Sequence, residues 1–272
     1  MLPLIYIGSI SIPSYGICMA TGIVVACVMA YMRLKHRGGS FDSLLLVVAV
    51  ALAIGLCCAK ISYYLFSYGI DKLFSEIASG DFTGFSDAGL VYYGGLIGGI
   101  IGAYIAIRVA KYDFNVYVNA IVPCIPLGHA FGRIGCLLAG CCYGLHYDGV
   151  CAIHSVYVDP TETLFPIQAV ESLLNIALFI ILLIYTQKER KGIITLSLYL
   201  VLYSIVRFVL EFFRGDLIRG IYFGVSTSQW ISALLVIISV FVIVLDRQNK
   251  LQSFKNMSNL EEERTCLRNE TH

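Results

Sequence analysis

Residues 193–214 read IITLSLYLVLYSIVRFVLEFFR. At about 1.5 Å rise per residue, a helix of this length crosses roughly 30 Å of hydrocarbon. The same run carries Tyr203, Arg207, Glu211 and Arg214. Their spacing of four, four and three residues puts all four side chains on one helix face. A charge at mid-bilayer costs about 2.5–3.5 kcal/mol on insertion scales, so such a stripe faces a polar cavity or a partner rather than lipid. Six more apolar runs fall at 14–32, 43–65, 89–109, 117–138, 167–186 and 225–245. Composition agrees with seven spans. The chain is 58% hydrophobic and 14% charged, where soluble domains run near 25% charged. Ten of the charged residues lie from Asp246 onward, which leaves the first 245 positions poorer still. That excludes a soluble domain, which needs a charged skin, and the apolar content excludes disorder. A net charge of +1 with no basic stripe excludes nucleic acid as a partner.

The basic residues set the orientation. With the N-terminus outside, 13 of the 19 Lys and Arg face inward, among them Arg33, Lys35, Arg37, Lys188, Arg190 and Lys191. The expected fold class is therefore an all-α integral membrane protein of seven transmembrane helices, N-out and C-in. One transmembrane domain spans 1–245, and 246–272 form a polar cytoplasmic tail, solvated and partly disordered. Two outer segments stand out. Residues 67–88 carry Asp71, Glu76, Asp81 and Asp87 and read as an amphipathic helix on the membrane surface. Residues 143–166 read as a small extracytoplasmic cap. Residues 1–12 show no basic n-region, and no small-x-small cleavage site follows them, so a cleaved leader is not expected.

The fourth run carries His129, Gly132 and Arg133, and the fifth opens with Gln168 and Glu171 on one face. Two readings stand. The charges form ion pairs that pin helices together, Arg207 with Glu211 and Arg133 with Glu171. Alternatively, the surplus guanidinium binds an anion, since Arg offers a planar fork that fits phosphate and stays charged when desolvated. In a bilayer that anion is a phospholipid headgroup, which leaves enzyme, lipid transporter and receptor all open. Gly94, Gly95, Gly98, Gly99 and Gly102 sit at small-xxx-small spacing. They serve close helix packing or give a bare backbone surface to a ligand. Of the 10 cysteines, Cys18, Cys27, Cys57 and Cys58 fall in apolar runs, and Cys124, Cys136, Cys141, Cys142 and Cys151 cluster in sequence. With no C-x-x-C pair the spacing fits no standard zinc pattern, so no metal is expected. Packing, a Cys142–Cys151 disulfide and a catalytic Cys141 remain open.

These motifs resemble those of the prolipoprotein diacylglyceryl transferase family. Its Gly-Arg-x-Gly-Asn-Phe-x-Asn-Gly-Glu signature corresponds to Gly132 through Cys141, and its Pro-x-Gln-x-x-Glu element to Pro166, Gln168 and Glu171. Its aromatic-His-Gly-Gly element corresponds to Tyr92, Tyr93, Gly94 and Gly95, and a Tyr-Gly in the first span to Tyr15 and Gly16. The Tyr203 to Arg214 stripe matches in every motif position. Four substitutions depart from the pattern: Tyr93 for His, Cys136 and Ala139 for two Asn, and Cys141 for Glu. A tyrosine, with a reference pKa near 10, is a poor base at neutral pH. The resemblance implies transfer of a diacylglyceryl group from phosphatidylglycerol to the cysteine of a prolipoprotein signal peptide, by a multi-pass enzyme of the bacterial cytoplasmic membrane. It implies no cofactor and a monomer in the lipid bilayer. Arg133, Arg207, Tyr93, Glu211 and His129 are then the catalytic candidates. Tyr15, Gly94, Gly95, Gly132, Gln168, Glu171, Tyr203, Arg214 and Cys141 are the substrate-binding candidates. The alternatives are another acceptor, or a non-catalytic phospholipid-binding protein on the same scaffold.

Overall fold

The computed structural model describes residues 2–7, 10–79, 91–215 and 221–270. In chain order these form β1 (Leu4–Ile7), β2 (Ile10–Pro13), α1 (Ser14–Lys35), α2 (Phe41–Tyr68), α3 (Ile70–Ser79) and α4 (Tyr92–Val109). Then come α5 (Phe114–Ile121), α6 (Cys124–Ala139), α7 (Ile167–Tyr185), α8 (Gly192–Leu210), a 3-10 turn (Glu211–Phe213), β3 (Ile221–Tyr222), β4 (Val225–Ser226) and α9 (Thr227–Glu270). Among the described residues six helical segments are long and apolar enough to cross a membrane. They are Ser14–Lys35, Phe41–Tyr68, Phe114–Ala139, Ile167–Tyr185, Gly192–Phe213 and Thr227–Asn249. The chain is thus a predominantly helical, multi-pass membrane protein.

The run expected at 89–109 contributes a shorter apolar helix, Tyr93–Val109, and its first residues lie outside the described ones. The run expected at 117–138 is two helices, α5 and α6, because Pro123 has no N–H to continue the first. The hairpin β1–β2, with Leu4 opposite Pro13, was not expected from sequence. The β-branched Ile5 and Ile12 that face each other in it favour extended backbone. The helix expected at 225–245 begins at Thr227, after a second hairpin pairing Ile221 with Ser226, and its backbone continues to Glu270.

Two compact units divide the chain. One is Val28–Ile121. Ser40 opens α2 with a reciprocal capping box to Ser43. The glycines of α4 lie against α2. A Cβ on Gly98 would stand 2.5 Å from Cys58 Cβ, and one on Gly102 2.9 Å from the Val50 carbonyl. The packing reading of this stripe is the one the structure shows. α3 is the described part of the expected surface helix. Tyr64 donates a hydrogen bond to the Glu76 carboxylate, and the Lys72 ammonium stands 4.2 Å over the Tyr68 ring. Asp81 and Asp87 lie outside the described residues.

The other unit joins Met1–Cys27 to Val122–His272. Here α6 packs on α7, α7 on α8 and α8 on α9. The first half of α1 lies close on α6, where a Cβ on Gly22 would stand 2.6 Å from Phe131 Cβ. Leu2 N donates to Leu138 O at 3.0 Å, tying the N-terminal hairpin to the end of α6. Residues 143–166 fold as a compact segment. Ile153 and Leu164 exchange backbone hydrogen bonds, Phe165 N donates to Leu145 O at 2.9 Å, and Leu145 N donates to Phe213 O at 3.0 Å.

Candidate functional site

Glu171, 3% exposed near the start of α7, is the centre of a charged cluster. Its Oε2 stands 2.8 Å from Arg133 Nε of α6, and its Oε1 lies 3.0 Å from Arg207 Nη1 of α8. Arg214 Nη1 lies 3.6 Å from the same Oε1. Glu211 takes the other arm of Arg207, Oε2 to Nη2 at 2.6 Å. Both ion pairs read from sequence are present, and Glu171 also serves Arg207 and Arg214. These five side chains carry a formal +1, and burying ions costs several kcal/mol each unless they are paired.

The local structure explains the aim of each group. Arg133 Nε directs its N–H at His129 Nε2, 3.3 Å away, while Glu171 lies to the side. Among the described residues the Nη groups of Arg133 donate no hydrogen bond. Arg207 also donates to Ser228 Oγ at 3.4 Å. The expected single face from Tyr203 to Arg214 breaks at its end. α8 stops at Leu210, the chain tightens into the 3-10 turn, and the backbone of Arg214 bridges to Gly144. Arg214 is therefore placed by the 143–166 segment rather than by helix periodicity. Tyr203, 2% exposed, sets its ring 5.4 Å from His129. Gly132 lies against α1, where its Cβ would meet Met19 Sδ at 3.0 Å. Gln168 is fully buried and donates to Cys141 O at 2.8 Å.

Three contributors have no counterpart among the sequence candidates. Ser172 Oγ donates to Ala130 O at 3.1 Å, fastening α7 to α6. Asn175 Nδ2 donates to Glu171 O at 2.8 Å. Ser228 is the third. Tyr93, Gly94 and Gly95 belong to the other unit. There Tyr93 is buried, and a Cβ on Gly94 would stand 2.8 Å from the Cys58 carbonyl, so α2 occupies that face.

A cleft of about 460 Å³ adjoins the end of α6, lined by Pro3, Leu4, Pro13, Tyr15, Ala139, Cys141 and Tyr157. A second, of about 330 Å³, includes Tyr185 and Asp246. Tyr185 closes α7, roughly 21 Å along the helix from Glu171 at ~1.5 Å per residue, so that cleft is remote from the charges. Gly140, at φ +79°, ends α6 in the left-handed conformation that glycine adopts without strain. The chain then turns back, and the Sγ atoms of Cys136, Cys141 and Cys142 all lie within 4.8 Å of one another. Cys142 and Cys151 are free thiols, so the disulfide between them is not formed. Beyond the helices, Thr163 donates to the Asp148 carboxylate and His146 Nε2 lies 3.1 Å from it. The Thr163 hydroxyl and then the His146 charge hold that carboxyl below its usual range.

Fold and cluster together define a helical membrane protein with a buried cationic site. A family model described as prolipoprotein diacylglyceryl transferase matches residues 3–245. A phosphatidylglycerol–prolipoprotein diacylglyceryl transferase of Clostridium tetani is 34% identical over 244 residues, 89% of this chain and 96% of that one. Transferase 2 of Clostridium perfringens is 34% identical over 253 residues, covering 90% and 94%. The Clostridioides difficile protein of the same name is 30% identical over 245 residues, covering 89% and 94%. The chain belongs to the prolipoprotein diacylglyceryl transferase family.

Proposed function

We propose that this chain moves the diacylglyceryl group of phosphatidylglycerol to the thiol of a lipobox cysteine in a prolipoprotein signal peptide. The observation that carries the reading is the buried set of three arginines and two glutamates with its formal +1. A phosphate diester carries one negative charge, so the headgroup neutralises the site. In the reaction the thiol sulfur bonds to the glyceryl carbon as the bond from that carbon to the phosphate oxygen breaks. Glycerol phosphate leaves, and the proton of the thiol ends on it. Negative charge develops on the leaving oxygen, and fixed guanidinium groups favour that state more than the ground state.

The Nη fork of Arg133 and the guanidinium of Arg214 hold the phosphate. Arg207 is oriented by Glu171 and Glu211, and Glu171 sets the spacing of all three. His129 accepts from Arg133, which makes it a positioning group for that arginine. Tyr203 packs on His129, and Gln168 fixes the turn at Cys141. Tyr15 and Cys141 line the cleft that receives the acceptor, a largely apolar channel suited to a signal peptide. Tyr93, with Gly94 and Gly95, keeps a hydroxyl where the family carries His. The enzyme acts as a monomer in the bacterial cytoplasmic membrane without a cofactor. It crosses the bilayer seven times, α4 included, N-out and C-in, with 143–166 as an extracytoplasmic cap.

The test is conversion of a lipobox peptide by the purified protein with phosphatidylglycerol, read as the mass of the thioether product. Arg133→Ala and Arg214→Ala should each lower turnover by roughly 100-fold, as expected for losing a charge-assisted contact of about 3 kcal/mol. Unchanged turnover in both variants rejects the phosphate assignment. Bound phospholipid without any conversion by the wild type points to the non-catalytic alternative.

A further inference from the structure

We propose that Cys136, Cys141 and Cys142 form a binding site for one divalent thiophilic metal ion of the zinc class. The C-x4-C-C spacing does not announce a metal. The geometry does. Three Sγ atoms lie within 4.8 Å of one another. Zinc–sulfur bonds of about 2.3 Å put ligand sulfurs roughly 3.8–4.0 Å apart, so small side-chain movements close the set on an ion.

The backbone around the thiols is already fixed. Cys136 sits in α6 and is 8% exposed. Cys141 N donates back to Cys136 O at 3.2 Å, and Gln168 holds Cys141 O at 2.8 Å. Ser155 Oγ holds Gly140 O at 2.7 Å. Cys142 stands at φ +59°, a conformation a side-chain-bearing residue adopts only where its surroundings impose it. Here that conformation brings its sulfur to the other two.

Charge selects the ion. Three thiolates around a divalent ion carry a net −1. A monovalent ion would leave −2. Thiolate donors favour zinc-class ions over magnesium or calcium. Each thiol gives up its proton on binding, and Cys141 lines the cleft beside the end of α6.

Binding is read without turnover, so it stands apart from the transferase reading. The reduced full-length protein, purified in detergent, is titrated anaerobically with Cd2+ and followed by thiolate-to-metal charge-transfer absorbance. The expected result is a band saturating at one ion per chain. It is lost in the C136S/C141S/C142S variant and kept in C124S/C151S. No band in the wild type, or an undiminished band in the triple variant, overturns the proposal. A footprint on the wild type covers the case of a triple variant that does not fold. Cd2+ should protect Cys141 and Cys142 from an alkylating reagent while the exposed Cys151 keeps reacting. Equal labelling with and without Cd2+ overturns it as well.

Discussion

Replacing Glu171 with Gln keeps the shape of the side chain and removes the one carboxylate that three arginines share. The five-residue cluster then rises from +1 to +2. At an effective dielectric near 20, unit charges about 3 Å apart attract by roughly 5–6 kcal/mol, and Arg133 and Arg207 stand at 2.8 and 3.0 Å. Much of that attraction is offset by the desolvation the buried carboxylate no longer suffers. Removing one partner of a buried pair leaves a net cost of about 3–5 kcal/mol. The assay is unfolding of the purified protein in mixed micelles by titration with sodium dodecyl sulfate, followed by circular dichroism. Glu171→Gln should fall in that range, with transferase activity lost alongside. Adding Arg133→Gln restores the formal +1 and should recover about 1–3 kcal/mol as coupling. A single variant within about 0.5 kcal/mol of wild type, or strict additivity in the double variant, would refute the shared-carboxylate account.

Ser228→Ala removes one long hydrogen bond to Arg207 at 3.4 Å, so turnover should drop only a few-fold, for a loss of about 0.5–1 kcal/mol. In the α4 seam, Gly98→Ala should destabilise by about 1–3 kcal/mol, because its Cβ would lie 2.5 Å from Cys58 Cβ, whereas Gly99→Ala, with its nearest neighbour at 3.7 Å, should be tolerated in the same unfolding assay. The depressed Asp148 carboxyl gives the 143–166 segment stability that is present above the ordinary carboxylate range and lost as pH falls through its folded value; Thr163→Val should return that value toward normal, and amide exchange across the segment at graded acid pH measures the shift.

The part of the site legible in sequence is the part that carries charge. Arg207 and Glu211 are one helical turn apart, and Arg133 and Glu171 stand out because ions in apolar runs demand partners. Ser172, Asn175 and Ser228 gave no such signal, since a neutral polar residue in a span is cheap. Their roles depend on which helices become neighbours. Ser172 and Asn175 do lie beside Glu171 on α7, one and four residues on, so asking which residues flank a buried carboxylate would have found them. The position of Arg214 was hidden because a 3-10 turn and a backbone bridge to Gly144 replace the helix assumed there. The meeting of Cys136, Cys141 and Cys142 was hidden for a similar reason. It depends on the left-handed turn at Gly140 and Cys142 rather than on spacing. The β1–β2 hairpin is too short to register as a periodic pattern. The glycine stripe left two uses open, and only the packing of α2 against α4 separates them.

The division of the chain into two units bears on the order of assembly during synthesis. Val28–Ile121 is continuous, so every contact of the α2–α4 seam is available as soon as that stretch has entered the lipid. The other unit needs the first 27 residues and everything after Ile121. Within it Arg133 is made before Glu171, and Glu171 before Arg207 and Arg214. For the seconds between those events, at about 5–20 residues per second, α6 carries a guanidinium into the membrane with no carboxylate to meet it. Its neighbour in the helix, His129, is already in place, and it receives the Arg133 N–H in the finished protein. The imidazole thus accompanies the arginine from insertion until α7 arrives.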